Sequence, residues 1–333
     1  MTDGSVKINK AINKTSVGAV DIIVTVVSVF MIFMLAAFPE RYIKTTFTGL
    51  SVWALNVLPS LLPFFFLTAL TTKNKCLSLF SAKLSPLTRV LYRSEGVAAY
   101  VQIMSFLSGY PIGAKMISDL KAGGVIDEKD ATKLSTFCST SGPMFIVGSV
   151  GTGMFKSGKT GLILLSAHLI SSILCGIIFR FLPHDKRACA RTEIKKCDNV
   201  LYESVYSSVV SVAVIGGFIA IFYTFSQIVT DLKIFLPLSA LLTPLIGENN
   251  ANGVCLSIIE CTFACKTFAE KITPLSTALA CAAVSFGGLS VWCQSAAYLI
   301  KAKAKFSVFA LSKIVHTVCS FAVCYALLAI FGP

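Results

Sequence analysis

The sequence predicts an all-α, polytopic integral membrane protein. Of its 333 residues, 55% are hydrophobic and only 14% are charged, and the mean hydropathy is +0.78. Soluble globular domains carry about 25% charged residues. Long uncharged runs recur along the chain, and basic residues gather between them. These observations argue against a soluble enzyme and indicate a chain that lies mostly in lipid.

The apolar runs predict the number of membrane segments. A helix that spans the bilayer needs about 20 predominantly apolar residues. Runs of about that length cover 17–38, 45–72, 96–114, 134–155, 161–179, 204–230, 272–300 and 314–333. Two further stretches, 234–247 and 252–268, are shorter or contain charge. We expect about eight to ten membrane segments, some of them broken or re-entrant rather than full crossings.

The basic residues behind the formal net charge of +13 predict which side of the membrane the connectors face. Short basic connectors between apolar runs lie on the cytoplasmic side of membrane proteins, where they also attract anionic lipid headgroups. We therefore expect membrane lipid as a partner and no nucleic acid, because no aromatic-interleaved basic motif is present. The residues of the three basic connectors are Lys73, Lys75, Lys83, Arg89 and Arg93; Lys186, Arg187, Arg191, Lys195 and Lys196; and Lys301, Lys303, Lys305 and Lys313.

Short matches at a constant offset of 180 residues predict a duplicated architecture. Ser105-Phe106 recurs as Ser285-Phe286, and Lys121-Ala122 recurs as Lys301-Ala302. We divide the chain into an N-terminal transmembrane helix with its flank (1–44), a first repeat (45–182), a basic cytoplasmic loop (183–199) and a second repeat (200–333).

Three polar, glycine-bearing interruptions in the apolar runs predict a substrate site. They lie at 108–115, 139–148 and 285–294. Transporters build such sites where membrane helices break near the midplane. Gly and Pro relax or remove backbone constraints there and free carbonyl and amide groups for a ligand. The candidate substrate-binding residues are Ser108, Gly109, Tyr110, Pro111, Gly113, Lys115, Ser139, Ser141, Gly142, Pro143, Ser285, Gly287, Gly288, Ser290 and Gln294.

Two of these candidates have a plainer alternative. Lys115 would attract an anion if it faces a cavity, or it is a snorkelling lysine near a helix end. Gln294 suits a heterocycle or a carboxylate, or it makes ordinary interhelical hydrogen bonds. A helix that starts after Pro143 would point its positive end at the cavity.

Glu260 lies inside an apolar stretch and is the sharpest single feature. An intramembrane carboxylate marks a functional site by default. It would bind a coupling proton or Na⁺, or accept hydrogen bonds from substrate. The alternative is a boundary glutamate that pairs with Lys266 or reaches the interface.

Metal, cofactor and enzyme chemistry find no support in the sequence. Cys261 and Cys265 lack the His or carboxylate set that zinc requires, and His168 and His316 fit packing roles. No G-x-S-x-G, H-E-x-x-H or Walker A sequence occurs. We expect a protein that is not an enzyme, with no metal and no cofactor.

Four segments resemble the signatures of the sporulation integral membrane protein YlbJ family, also called SpoVV. They are 58–65, 107–115 (Leu-Ser-Gly-Tyr-Pro-Ile-Gly-Ala-Lys), 137–146 and 285–291, and together the resemblance runs from about 45 to 330. It implies nucleoside-recognition (Gate) domains, distantly similar to concentrative nucleoside transporters. Members of this family are implicated in moving dipicolinic acid from the mother cell across the outer forespore membrane.

The combined expectation is a multi-pass secondary transporter for a small polar or anionic metabolite in a bacterial membrane. By resemblance, the substrate is dipicolinic acid and the location is the outer forespore membrane. Lys115, Tyr110, Gln294 and the helix after Pro143 would suit this dicarboxylate, and Glu260 would serve coupling. A nucleoside transporter and a non-transporting sporulation assembly factor remain alternatives, and a homo-oligomer remains open.

Overall fold

The computed structural model describes residues 18–72, 76–183 and 199–332, and within these ranges it contains helices and no strand. The first group of helices is α1 (Ala19–Ala37), α2 (Pro39–Val52), α3 (Leu58–Thr72), α4 (Cys76–Tyr92), α5 (Val97–Ser108), α6 (Ile112–Ala122), α7 (Glu128–Ser135), a π-helical segment (Met144–Met154) and α8 (Gly158–Ile178). The second is α9 (Val200–Asp231), α10 (Leu236–Ile246), α11 (Glu248–Ser257), α12 (Cys261–Glu270), α13 (Pro274–Phe286), α14 (Gly288–Leu299) and α15 (Phe306–Phe331). The all-α prediction is confirmed.

Long apolar helices make this an integral membrane protein. Four helical stretches in the described part are long and apolar enough to cross a bilayer, and α1 with α2 adds a pair bent by 110°. The bend falls at Pro39, which has no N–H to continue the helix. The four stretches are Gly158–Phe181, Val200–Asp231, Pro274–Leu299 and Phe306–Phe331.

The outer faces of these helices are suited to lipid. On α15, the large apolar side chains of Leu311, Ile314 and Val318 are all more than half exposed. The opposite stripe of the same helix is buried. Large apolar side chains on the exposed face of a long helix are typical of a membrane span, where that face meets lipid.

Helices α2 and α3 join through a π-helical turn, Trp53–Val57, and pack across α9. The Trp53 indole donates a 3.0 Å hydrogen bond to the Val212 carbonyl. A Cβ on Gly216 would lie 2.5 Å from the Trp53 ring, so only glycine allows this close approach. The joined helices α2–α3 and helix α9 thereby form two walls of a cavity.

Buried side chains from both halves of the sequence share the same clusters. Ile112 lies in one cluster with Leu299 and Phe309, and Leu164 lies in another with Cys281. The halves are therefore interlocked in space. The repeat boundaries stay a prediction, and most of the predicted basic loop 183–199 lies outside the described residues.

Helix α7 contacts the end of α6 and the connector before α15. Glu128 lies 3.9 Å from Lys121 and 3.5 Å from Lys303. Thr132 Oγ1 accepts a 3.0 Å hydrogen bond from the Lys305 amide. The connector that begins at Lys301 thus packs against α7.

Candidate functional site

The first predicted break separates α5 from α6. Helix α5 ends where Gly109 adopts a φ of +84°, which L side chains rarely adopt. Pro111 then precedes α6 and lacks an amide hydrogen that the helix start would leave unpaired. A Cβ on Gly113 would overlap the Cys138 carbonyl oxygen, at 1.6 Å. The break is therefore a close backbone contact as well as a turn.

The second break packs directly against the first. A Cβ on Gly109 would lie 2.5 Å from the Gly142 nitrogen. Ser105 Oγ lies 2.8 Å from both the Cys138 carbonyl and Thr140 Oγ1. After Pro143 the chain becomes π-helical rather than α-helical, a conformation that is frequent at functional sites.

The third break, between α13 and α14, pairs with a fourth that the sequence analysis missed. Gly287 and Gly288 have φ values of +81° and +70°. The Leu289 amide donates to the Ile258 carbonyl at 2.9 Å, and the Ser290 amide donates to the Ile259 carbonyl at 3.1 Å. These bonds pair the first amides of α14 with carbonyls left free where the chain breaks between α11 and α12, at 258–260, immediately before Cys261.

His168 connects the two pairs of breaks. Its Nε2 accepts a 2.9 Å hydrogen bond from the Ser141 amide, and its Nδ1 lies 2.7 Å from Ser285 Oγ. Because an amide can only donate, Nε2 carries no proton, and the neutral ring donates from Nδ1 to Ser285. His316 Nε2 lies 3.1 Å from the His168 carbonyl and donates to it. Both histidines are buried and hydrogen-bonded, in keeping with the predicted packing roles.

The four breaks surround one cavity of about 800 Å³. Its apolar walls come from α2–α3, α9 and the π-helical segment, and its polar residues come from the breaks. The predicted residues that line it are Ser108, Gly109, Tyr110, Ser141, Gly142, Glu260, Ser290 and Gln294. The predicted residues outside the lining are Pro111, Gly113, Lys115, Ser139, Pro143, Ser285, Gly287 and Gly288.

Glu260 faces the cavity as the N-cap of α12. Its Oε2 accepts from the Phe263 amide at 3.0 Å, and its Oε1 accepts from Thr262 Oγ1 at 2.9 Å. Within the described ranges no basic side chain lies within 4.0 Å of this carboxylate, so the predicted alternative of a pair with Lys266 is not formed. The positive end of α12 supplies the electrostatic compensation instead.

Gln294 and Ser290 lie one helical turn apart on α14. Gln294 Nε2 donates to Ser290 Oγ at 3.3 Å. Both side chains line the cavity, so this weak bond leaves their polar groups available to a ligand.

The sequence left two alternatives for Lys115, a side chain that faces the cavity or one that snorkels near a helix end. In the structure its ammonium pairs with Asp119 at 2.7 Å on the same helix, and Lys115 is not among the lining residues. The i,i+4 spacing explains this, because it places the two side chains on one face of α6. Ser285 likewise turns toward His168 rather than into the cavity.

Lys313 is the charged residue that the sequence analysis misplaced. It was grouped with the basic connector that begins at Lys301, but it lies two turns inside α15 and is 1% exposed. Its Nζ donates to Tyr110 Oη at 2.7 Å and to the Ser139 carbonyl at 3.1 Å. The seven mostly apolar residues 306–312 before it were the signal that it belongs to the helix.

The fold and site define a class: an all-α, multi-pass membrane protein whose broken helices enclose a cavity lined by polar residues. The chain is 27% identical over 321 residues to the sporulation integral membrane protein YlbJ of Bacillus subtilis strain 168, which covers 87% of this chain and 79% of that protein. This similarity confirms the predicted resemblance to the YlbJ family. No family model matches the chain, so the Gate domains stay a prediction. No solved structure matches it either.

Proposed function

We propose that this protein is a secondary transporter that moves a small polar or anionic metabolite across a membrane. The observation that carries the proposal is that polar residues from four helix breaks meet Glu260 around a single cavity. Backbone breaks at membrane depth are tolerated where they line a cavity or are buried in protein. Transporters place substrate and coupling-ion sites at such breaks.

The cavity has the size and composition of a small-molecule site. Its volume of about 800 Å³ falls within the range of about 300–1,000 Å³ that is usual for ligand pockets. Apolar walls with a few convergent polar groups fix a ligand's orientation. Ser108, Tyr110 and Gln294 supply side-chain donors for a polar metabolite.

Glu260 is the proposed coupling residue. Its carboxylate has no basic side chain within 4.0 Å in the described ranges and lies at a helix N-terminus, a setting in which a carboxylate takes up a proton or a small cation. It would repel a directly bound dicarboxylate, and this places the anionic part of the substrate elsewhere in the cavity.

Dipicolinic acid is the leading substrate, and the outer forespore membrane is the proposed location. The family resemblance supports both, and the name of the Bacillus subtilis relative supports a role in sporulation. The proposal includes no enzymatic step, no cofactor and no metal, and the proposed partners are the small-molecule substrate and membrane lipid.

Uptake into liposomes tests the proposal. Purified protein is reconstituted, and entry of labelled dipicolinate is followed under proton and Na⁺ gradients, with empty liposomes and the Glu260→Gln variant as controls. We expect gradient-driven accumulation that depends on Glu260. No uptake under any gradient, together with unchanged spore dipicolinate in a deletion strain, would refute it.

Two other outcomes would redirect the assignment. Inhibition by uridine or adenosine, with uptake of the nucleoside but not of dipicolinate, would select a nucleoside transporter. Loss of spore dipicolinate in the deletion strain, without uptake of either compound in liposomes, would select a membrane assembly factor.

A further inference from the structure

Lys313 places a buried amino group directly behind a residue of the cavity. Its Nζ donates to Tyr110 Oη at 2.7 Å and lies 4.5 Å from the centre of the Tyr110 ring. Within the described ranges no carboxylate lies within 4.0 Å of it. A buried charge without a counter-ion is costly, and an anion brought close to it is correspondingly stabilised.

Tyr110 is oriented to pass this effect to a ligand. Its oxygen accepts from Lys313, so its own proton is available to an acceptor. Within the described ranges that proton is donated to the carbonyls of Val284 and Ser285, each 3.3 Å away, which is longer than an ordinary hydroxyl hydrogen bond, so a ligand acceptor can replace them. A hydroxyl that accepts from an ammonium group becomes a stronger donor.

Ser108 provides an independent observation at the same cavity. It lines the cavity next to Gly109 and is only 5% exposed. Its hydroxyl has no hydrogen-bond partner in the part of the chain that the structure describes. Buried hydroxyls are normally satisfied, so this one is suited to a ligand atom.

We propose that Lys313 is a positioning residue for a carboxylate group of the substrate, and that it acts through Tyr110. Tyr110 Oη donates one hydrogen bond to the carboxylate, and Ser108 Oγ donates a second. The group that this part of the cavity recognises is thereby a carboxylate. This inference rests on the proposed function for the meaning of the cavity and deepens it by naming the group that is recognised.

Binding of matched charged and neutral ligands tests the inference. Purified protein in lipid nanodiscs is titrated with dipicolinate and with its neutral analogue, pyridine-2,6-dicarboxamide, by calorimetry. We expect wild type to prefer dipicolinate by about tenfold or more, because a hydrogen bond to a charged group contributes about 1.5–3 kcal/mol.

Two variants and one matched control isolate the effect. Lys313→Met and Tyr110→Phe should each weaken dipicolinate binding by about tenfold and reduce the preference over the dicarboxamide. Tyr110→Phe keeps the ring and removes only the hydroxyl, so it remains informative if Lys313→Met fails to fold. Lys115→Met removes a lysine outside the lining and should leave the preference unchanged. A purely structural role would lower stability without changing the ratio of the two affinities.

The outcomes separate this inference from the transport proposal. The inference is overturned, and transport is retained, if wild type takes up dipicolinate but Tyr110→Phe still prefers dipicolinate over the dicarboxamide as strongly as wild type does. Selective, Tyr110-dependent binding without uptake under any gradient supports the inference and refutes transport. Equal binding of both compounds by wild type, or binding of neither, overturns the inference.

Discussion

The Ser141 amide donates its hydrogen bond to His168 Nε2 across 2.9 Å, and this joins a helix break to a neighbouring helix. The geometry fixes His168 as a neutral ring that donates from Nδ1 to Ser285. One side chain therefore ties the second break to the third, and the shape of the cavity depends on it.

Replacing His168 by Phe should destabilise the protein by about 1–3 kcal/mol, because the Ser141 amide would be buried without an acceptor. Thermal unfolding in detergent micelles measures the loss. His316→Phe is the matched control, since it removes only a donor to the His168 carbonyl, and we expect a smaller loss. An equal loss of stability in His316→Phe and His168→Phe would contradict the role of His168 in joining the second break to the third.

Neighbouring glycines on α9 should respond differently to alanine. A Cβ at Gly216 would lie 2.5 Å from the Trp53 ring, whereas a Cβ at Gly217 would meet nothing within 4 Å. We expect Gly216→Ala to cost about 1–3 kcal/mol through overpacking. Gly217→Ala should be neutral or stabilising, because alanine favours the helix by about 1 kcal/mol. Unfolding temperatures of the two variants check this, and equal values would argue against the close contact of Trp53 with α9.

Ser108→Ala should separate binding from stability. Ser108 lines the cavity and its buried hydroxyl has no partner among the described residues, so removing that hydroxyl should leave stability unchanged or raised. Dipicolinate affinity should fall by about fivefold, as expected for one lost hydrogen bond of about 1 kcal/mol. Ser171→Ala is the matched control, since that hydroxyl is also buried and unpartnered there but lies outside the lining. An equal affinity loss in both variants would contradict the assignment of Ser108.

Glu260→Gln should preserve the fold and abolish coupling. The amide oxygen of Gln still accepts from the α12 amides, but the charge that takes up a proton or cation is gone. We expect gradient-driven uptake to fall by about tenfold or more, a loss that corresponds to about 1.4 kcal/mol. The exposed Glu248→Gln at the start of α11 should behave as wild type. Full coupling in Glu260→Gln would show that another group carries the ion.

Lys133 on α7 predicts a pH dependence of stability. Burial lowers its pKa from 10.5 to about 8, opposed by Asp130 and assisted by Arg93 and Arg180. Between pH 8 and 10.5 Lys133 binds more protons in the unfolded chain than in the folded chain. The free-energy cost of burying this lysine therefore diminishes as the pH rises.

The stability of wild type relative to Lys133→Met should therefore increase from pH 8 to pH 10.5. Unfolding temperatures of both proteins at four pH values measure the difference, which cancels the other titrating groups. A constant difference across this range would contradict the lowered pKa.

Local features of the sequence were sufficient to predict the all-α class and three of the breaks, but Lys83 and Arg89, which the sequence placed in a connector, lie in helix α4. Gly109, Gly142 and Gly287 mark the three breaks because backbone conformation and close approach are set by residue type at the position itself. Eight of the predicted residues line the cavity. The fourth break, at 258–260, has no glycine or proline of its own and was found only through its hydrogen bonds to Leu289 and Ser290.

By itself the sequence determined the membrane class, the α-helical elements and the YlbJ-family resemblance, because hydropathy and signature segments are properties of the chain alone. Only the tertiary structure decided which lysine stands behind the site. Lys115 follows a polar break in the sequence, but the rotation of α6 turns its side chain toward Asp119. Lys313 is distant from the breaks in the sequence, but the rotation of α15 turns its side chain toward Tyr110. Helix rotation is fixed by packing between distant segments, and neighbouring residues carry no information about it.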